Sequence, residues 1–225
     1  MNAEPPTARF LMENQSRRPG YAGRYVPGDS SVLGQFLDQI RDYYVSRFID
    51  AINEHSGTDG VTVTHEPAFC NADGDVVTEG ELALPSRGDL LVIRNGAVSD
   101  SLRIDTEGML SFESIAFDWP ANRLNVDLRP FQWNWMQLRI FGLKTNADWT
   151  PIRDWFIRWF QEKDPADDEL LGGVHFLSDP EDGHDYSQVS IDLGTAPVKS
   201  FEELLDALGQ LGADRVQIGQ FNEGT

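Results

Sequence analysis

The stretch Arg123–Phe160, RLNVDLRPFQWNWMQLRIFGLKTNADWTPIRDWFIRWF, decides the fold and holds five of the six tryptophans. Its first half alternates. Leu124, Val126 and Leu128 fall on one side, and Asn125, Asp127 and Arg129 on the other, which is the period of a half-buried strand. Pro130 cannot donate to a ladder, so a bend, a bulge or an edge is expected there. Beyond it Phe131, Trp133 and Trp135 share one face, and then Met136, Leu138 and Ile140 carry the apolar pattern in the opposite phase. A one-residue slip exchanges the two faces of a strand, so a bulge or tight turn must separate these runs. The rings of Phe131, Trp133 and Trp135 either pack beneath the next helix or form an aromatic platform for a partner.

The second half changes period. Thr150 is placed to cap a helix, with Pro151 at its first position, where the missing N–H costs little. Ile152, Trp155, Phe156, Trp159 and Phe160 then line one helical face, with Arg153, Asp154 and Arg158 on the others. The run from Asp164 through Glu169, DPADDE, ends the helix, since the residue before proline avoids the helical region. A helix this aromatic covers a sheet or meets another chain.

Working outward, residues 1–28 are rich in Pro, Gly, Arg and polar side chains and read as an extended or partly disordered arm. Residues 29–225 read as a single α+β domain. Leu33, Phe36, Leu37, Ile40, Tyr44, Phe48 and Ile52 repeat at helical spacing, with Gly57 as the stop and His55 in the last turn. From Val61 the period becomes two, with Val61, Val63 and His65 on one face and Thr62, Thr64 and Glu66 on the other. Asp73-Gly74, Asn95-Gly96 and Glu107-Gly108 punctuate short apolar runs, so an antiparallel β-meander of about five or six strands is predicted, leading into the tryptophan stretch. Residues 172–225 read as a β-β-α-β unit that either extends the same sheet or forms a sub-lobe. Its helix is expected to open on a capping box of Ser200 and Glu203 and to end at Gly212.

A chain of 225 residues buries enough surface to fold without metals or disulfides, and Cys70 has no second cysteine to pair with. That fits a reducing cytoplasm. The first thirty residues lack a long apolar core, so neither a signal peptide nor a membrane span is expected. The formal charge of −19 is graded along the chain: residues 1–50 are neutral, 51–150 carry −8, and 151–225 carry −11. Such a chain repels nucleic acid and anionic membranes and favours a basic partner, although acidity also serves simply to keep a bacterial or halotolerant protein in solution.

Catalytic signatures are missing. There is no G-x-S-x-G, G-x-G-x-x-G, phosphate-cradling G-x-x-x-x-G-K or H-E-x-x-H, and no cofactor is expected. The densest chemistry lies between His175 and Asp185. His175, Asp179, Asp182 and His184 would be the ligands if this region held a divalent metal for a hydrolase, though their spacing fits neither zinc nor calcium-loop patterns. Pro, Asp and Gly there are also ordinary turn formers.

The leading expectation is therefore a binding module, with an enzyme disfavoured but left open: an acidic cytoplasmic protein of the immunity type, neutralising a basic toxin or effector by direct contact. Asp164, Asp167, Asp168, Glu169, Asp179, Glu181, Asp182 and Asp185 are the expected anionic contacts, with Trp133 and Trp135 as aromatic anchors. The alternatives are the metal-dependent hydrolase and a DNA-mimic inhibitor whose carboxylates copy phosphate spacing. The acids are scattered over loops and helices, which disfavours the mimic.

Overall fold

The computed structural model describes residues 32–56, 59–104, 111–160 and 170–221. The N-terminal arm and Asp164, Asp167, Asp168 and Glu169 lie outside the described residues. The class is α+β, as the alternating periods predict.

Helix α1, Val32–His55, buries Leu37, Ile40, Tyr44 and Phe48 along one stripe. Strands β1 (Val61–His65), β4 (Leu90–Arg94) and β5 (Ala97–Leu102) form a three-stranded antiparallel sheet in the order β1-β4-β5. The β4–β5 turn is Asn95-Gly96, both at positive φ (53° and 80°), the geometry that Asn-Gly favours in a two-residue hairpin. Between β1 and β4 lies a small hairpin of β2 (Thr78–Glu79) and β3 (Leu84–Pro85).

The main sheet takes up the rest of the chain. Its strands are β6 (Ile115–Asp118), β7 (Asn125–Leu128), β8 (Met136–Phe141), β9 (Phe176–Leu177), β10 (Glu181–Asp182), β11 (Tyr186–Asp192) and β12 (Arg215–Gly219). The order is β10-β11-β8-β12-β7-β6, with β9 also pairing with β11. The C-terminal unit thus extends the sheet of the tryptophan stretch. The antiparallel hairpin β6–β7 fits the expected meander. However, β7 and β8 do not pair with each other: β12 inserts between them, parallel to β7 and antiparallel to β8. Val216 and Ile218 make β12 a fit for that central slot, since both are fully buried between neighbours whose inward residues are Val126, Leu128, Leu138 and Ile140.

Helices α2 (Thr150–Phe160) and α3 (Val198–Leu211) pack against each other. Ile152, Trp155, Phe156 and Phe160 are buried on α2, the face that the spacing predicts. Phe201 of α3 stacks on Phe131 and Trp133 at centroid distances of 6.1 and 6.4 Å. Each large apolar side chain taken fully out of water contributes about 1.5–3 kcal/mol before entropy is charged, so this buried aromatic contact adds substantially to stability.

Three expectations change. Phe131 and Trp133 do not lie on an extended strand with Trp135: Gln132 and Trp135 close a tight turn, with the Trp135 N–H donating to the Gln132 carbonyl at 3.1 Å. That turn is the source of the phase reversal. The capping box does not form. Helix α3 starts earlier, at Val198, and Ser200 sits within its first turn, donating to the Pro197 carbonyl. Glu203 reaches across to α2 instead, accepting from Trp159 Nε1 at 3.0 Å and pairing with Arg158 at 3.3 Å. On α2, the carboxylate of Asp148 accepts the Thr150 N–H at 3.0 Å, so Asp148 serves the helix start. Its hydrogen bonds to Thr150 hold its carboxyl below the usual range, against a small opposing effect of desolvation.

Candidate functional site: a buried histidine between carboxylates

Glu66 follows β1, and alternation would place it on the outer face with Thr62 and Thr64. It is instead buried. The reason is its backbone, which turns left-handed at φ 51° and reverses the side-chain direction. A non-glycine residue there costs about 1 kcal/mol or more, so the surroundings must hold it. They do so with a backbone bond from Glu66 N–H to the Asp89 carbonyl at 2.7 Å, and with three donors converging on its carboxylate. Those donors are His175 Nε2 at 2.8 Å, the Thr195 hydroxyl and the Leu171 N–H.

Asp89 stands at the start of β4. Its Oδ1 faces His175 Nδ1 at 3.1 Å and accepts the Tyr44 hydroxyl at 3.2 Å, while Oδ2 accepts the Ile104 N–H at 2.6 Å. His175 is fixed by its own backbone, donating to the Asp192 carbonyl and accepting from the Arg87 N–H. With a carboxylate oxygen at each ring nitrogen, both nitrogens donate and the ring is an imidazolium. Burial alone opposes that charge. The bonds to Asp89 and Glu66, with the negative fields of Asp192 and Glu66, outweigh it and hold the His175 pKa up at about 10. For Glu66, burial pushes the pKa upward, but the His175 bond and charge, Thr195 and Leu171 prevail and leave it lowered.

The fourth member is Asp192, at the end of β11. Its residue is half-buried, yet its carboxylate points into the cluster and accepts the Gly194 N–H at 2.8 Å. Burial is the largest influence on it. The His175 charge lowers its pKa and the Asp89 charge raises it, leaving it at about 6. Tyr44 is pushed well above its ordinary value, first by burial and then by the charges of Asp192 and Asp89. Gly194 closes the site: at φ 53°, a β-carbon there would come within 2.3 Å of His175 Cδ2 and 2.6 Å of the Gly173 carbonyl, so only glycine fits.

Comparison with protein-family models, curated proteins and solved structures found no match.

Arg87 completes the setting. It lies over the Phe160 ring at 4.4 Å and donates to the Phe160 and Glu66 carbonyls. From the other side, Arg41 of α1 donates to the carbonyls of Thr195 and Ala196 at 2.9 and 2.8 Å. The cluster therefore joins the three-stranded sheet, the main sheet and helices α1 and α2. Every ring and carboxylate contact described is internal, which makes the cluster a structural hub.

The sequence-predicted residues lie elsewhere. Of His175, Asp179, Asp182 and His184, the structure brings none together as ligands. Asp182 and His184 are exposed on the β10–β11 hairpin, and Asp179 is engaged with the backbone of the β2–β3 turn. Among the described residues, the group whose ligand atoms converge is Asp89, His175 and Asp192. Trp133 is buried in the core and Trp135 is half-buried, stacked on Phe176 at 6.4 Å, with Arg103 over the Trp135 ring at 5.2 Å. Sequence reasoning missed Glu66, Asp89 and Asp192. The one local sign was an acid abutting a buried strand, as in Gly88-Asp89-Leu90 and Ile191-Asp192-Leu193.

A different grouping forms at the surface. Asp179 Oδ2 and Oδ1 accept the N–H groups of Glu81 and Leu82 at 2.8 and 2.9 Å. Gly80 allows this, since a β-carbon there would lie 2.1 Å from Asp179 Oδ2. The carboxylate thus pins the β2–β3 turn to the start of the β10–β11 hairpin. Glu79, Glu81, Glu181, Asp182 and Asp185, all exposed, come from these two adjoining hairpins. Arg153 lies at the same place, donating to the Leu82 carbonyl at 3.2 Å. Among the described residues, no helix is long and apolar enough to cross a membrane.

Proposed function

We propose that this protein is an acidic binding module of the immunity type, which neutralises a basic toxin or effector in the cytoplasm by direct contact. The observation that carries this reading is the bidentate hold of Asp179 on the β2–β3 turn. It sets exposed acids about a hundred residues apart in sequence on neighbouring hairpins, and it costs the surface only one carboxylate. Glu79, Glu81, Glu181, Asp182 and Asp185 supply the field that speeds encounter with a cationic surface.

Two further features support it. The densest set of titratable side chains is consumed internally by the hub, which favours contact over turnover. The exposed free thiol of Cys70 suits a reducing compartment. The proposal shifts the expected contacts to fit the burial of Trp133 and the bonds of Asp179. Trp133 belongs to the core and Asp179 acts as a positioning residue, so the acids of the two hairpins carry the contact instead.

The test is calorimetric titration against a panel of basic proteins, from about 50 to about 500 mM salt. Affinity should fall steeply with salt. Reversal of Glu79, Glu81, Glu181, Asp182 and Asp185 to Lys should weaken binding more than tenfold. Binding that ignores both salt and charge reversal would refute the reading, as would no binding at low salt.

A further inference from the structure

We propose that Asp89, His175 and Asp192 form a structural site for one divalent transition-metal ion of the Zn2+ class. The inference is independent of the partner reading above and concerns the interior alone.

The donor set comes first. Asp89 Oδ1, His175 Nδ1 and one Asp192 carboxylate oxygen all lie within 4.8 Å of one another, and all three groups are buried. The Nδ1–Oδ1 separation is 3.1 Å. Two ligands on one tetrahedral zinc ion, each bonded at about 2.0–2.1 Å, stand about 3.3–3.4 Å apart, so this pair needs to open by only a few tenths of an ångström to take an ion. One imidazole and two carboxylates suit Zn2+ or Mn2+ better than Ca2+, which takes oxygen donors alone.

The orientation comes second. A metal-bound histidine usually donates its other ring N–H to a carboxylate, which fixes the ring and raises its basicity. Glu66 stands in that position at Nε2, 2.8 Å away, and is itself held by Thr195 and the Leu171 N–H. The backbone of Gly194 lies close against the ring edge, where a side chain would not fit. Asp89 is held likewise by Tyr44 and the Ile104 N–H. The ligands are preorganised, and a metal would replace only the Nδ1 proton.

Charge comes third. Three carboxylates, from Glu66, Asp89 and Asp192, surround one imidazole. The protonated ring, Arg87 and Arg103 offset this charge at its edges, but the Asp89 and Asp192 carboxylates still repel each other in a buried site. Asp192 is offset by the His175 charge and, more weakly, by Arg103, which is exposed. A divalent ion between the two carboxylates removes the repulsion where a single proton removes only part. Because Asp89 opens β4 of the small sheet and Asp192 closes β11 of the main sheet, the ion would clamp the two sheets together.

The experiment uses the full chain, stripped with chelator, titrated with ZnCl2 and with MnCl2, and dialysed. Bound metal is counted by mass spectrometry, and Tm is followed. About one ion per chain should remain, with a raised Tm. Asp192→Asn should weaken metal affinity by about 10–100-fold while His184→Ala, on the exposed hairpin, leaves it unchanged. In case Asp192→Asn does not fold, the unsubstituted protein gives a second readout: Zn2+ should shift the ring resonances of His175 and leave those of His55, His65 and His184 in place. No retained metal, or metal lost with His184→Ala, or shifts confined to the other histidines, would overturn the proposal.

Discussion

Replacing Glu66 by Gln changes two heavy atoms' chemistry and almost no volume, so its cost isolates the charge and the acceptor count. In the folded protein the two carboxylate oxygens receive His175 Nε2, the Thr195 hydroxyl and the Leu171 N–H, all buried. Glutamine retains one oxygen. Its NH2 must then face either the Leu171 N–H or the His175 ring, a donor against a donor, and the imidazolium loses one of its two counter-charges. Breaking a buried ion pair from one side costs about 3–5 kcal/mol. The left-handed backbone at residue 66 remains and offers no relief. A domain is stable by about 5–15 kcal/mol in total, so the variant should lose a large part of its margin. The assay is urea unfolding with chelator present, so that protein partners alone are counted. With a slope of about 3 kcal/mol/M, the midpoint should fall by about 1 M or more. Glu54→Gln, on the exposed face of α1, should stay within about 0.5 kcal/mol of the parent. A loss below about 1 kcal/mol for Glu66→Gln would refute the hub as the tie between the sheets.

Gly194→Ala should lower stability by about 2–4 kcal/mol, from the clash with His175 and the positive φ together; an unchanged thermal midpoint would contradict the packing described. Trp133 Nε1 is buried without a hydrogen-bond partner among the described residues, whereas Trp119 Nε1 donates to Asp206 at 2.6 Å. Trp133→Phe should therefore cost less than Trp119→Phe, by about 1 kcal/mol, and equal losses in denaturant unfolding would count against the difference. Asp179→Ala should speed amide exchange at Glu81 and Leu82 without altering exchange at Leu171, and protection retained at both amides would show that the turn stands without the carboxylate.

Local pattern carried the elements well. The spacing of Ile152, Trp155, Phe156 and Phe160 gives both the helix and its buried face, because a face is decided within two turns of chain. The Asn95-Gly96 hairpin is likewise local. Strand order is not. Val216 and Ile218 announce a strand, yet nothing near them says that it enters between β7 and β8, since a central slot is chosen by what two distant strands leave open. The hub is hidden for the same reason. His175 seemed to belong with its sequence neighbours Asp179, Asp182 and His184, but its partners Asp89 and Glu66 lie 86 and 109 residues away. Glu66 was concealed further: strict alternation puts it outside, and only a left-handed φ turns it inward. The aromatic run shows the converse, where one tight turn at Gln132–Trp135 converts an apparent platform into core.

The most direct measurement of the contact we propose for the acidic hairpins is amide exchange across the whole chain, with and without a basic protein that binds it. The account predicts slowed exchange at residues 78–82 and 181–186, and little change at Glu66, Asp89 and His175. Protection centred on α3 or on β6, with both hairpins exchanging as in the free protein, would contradict it.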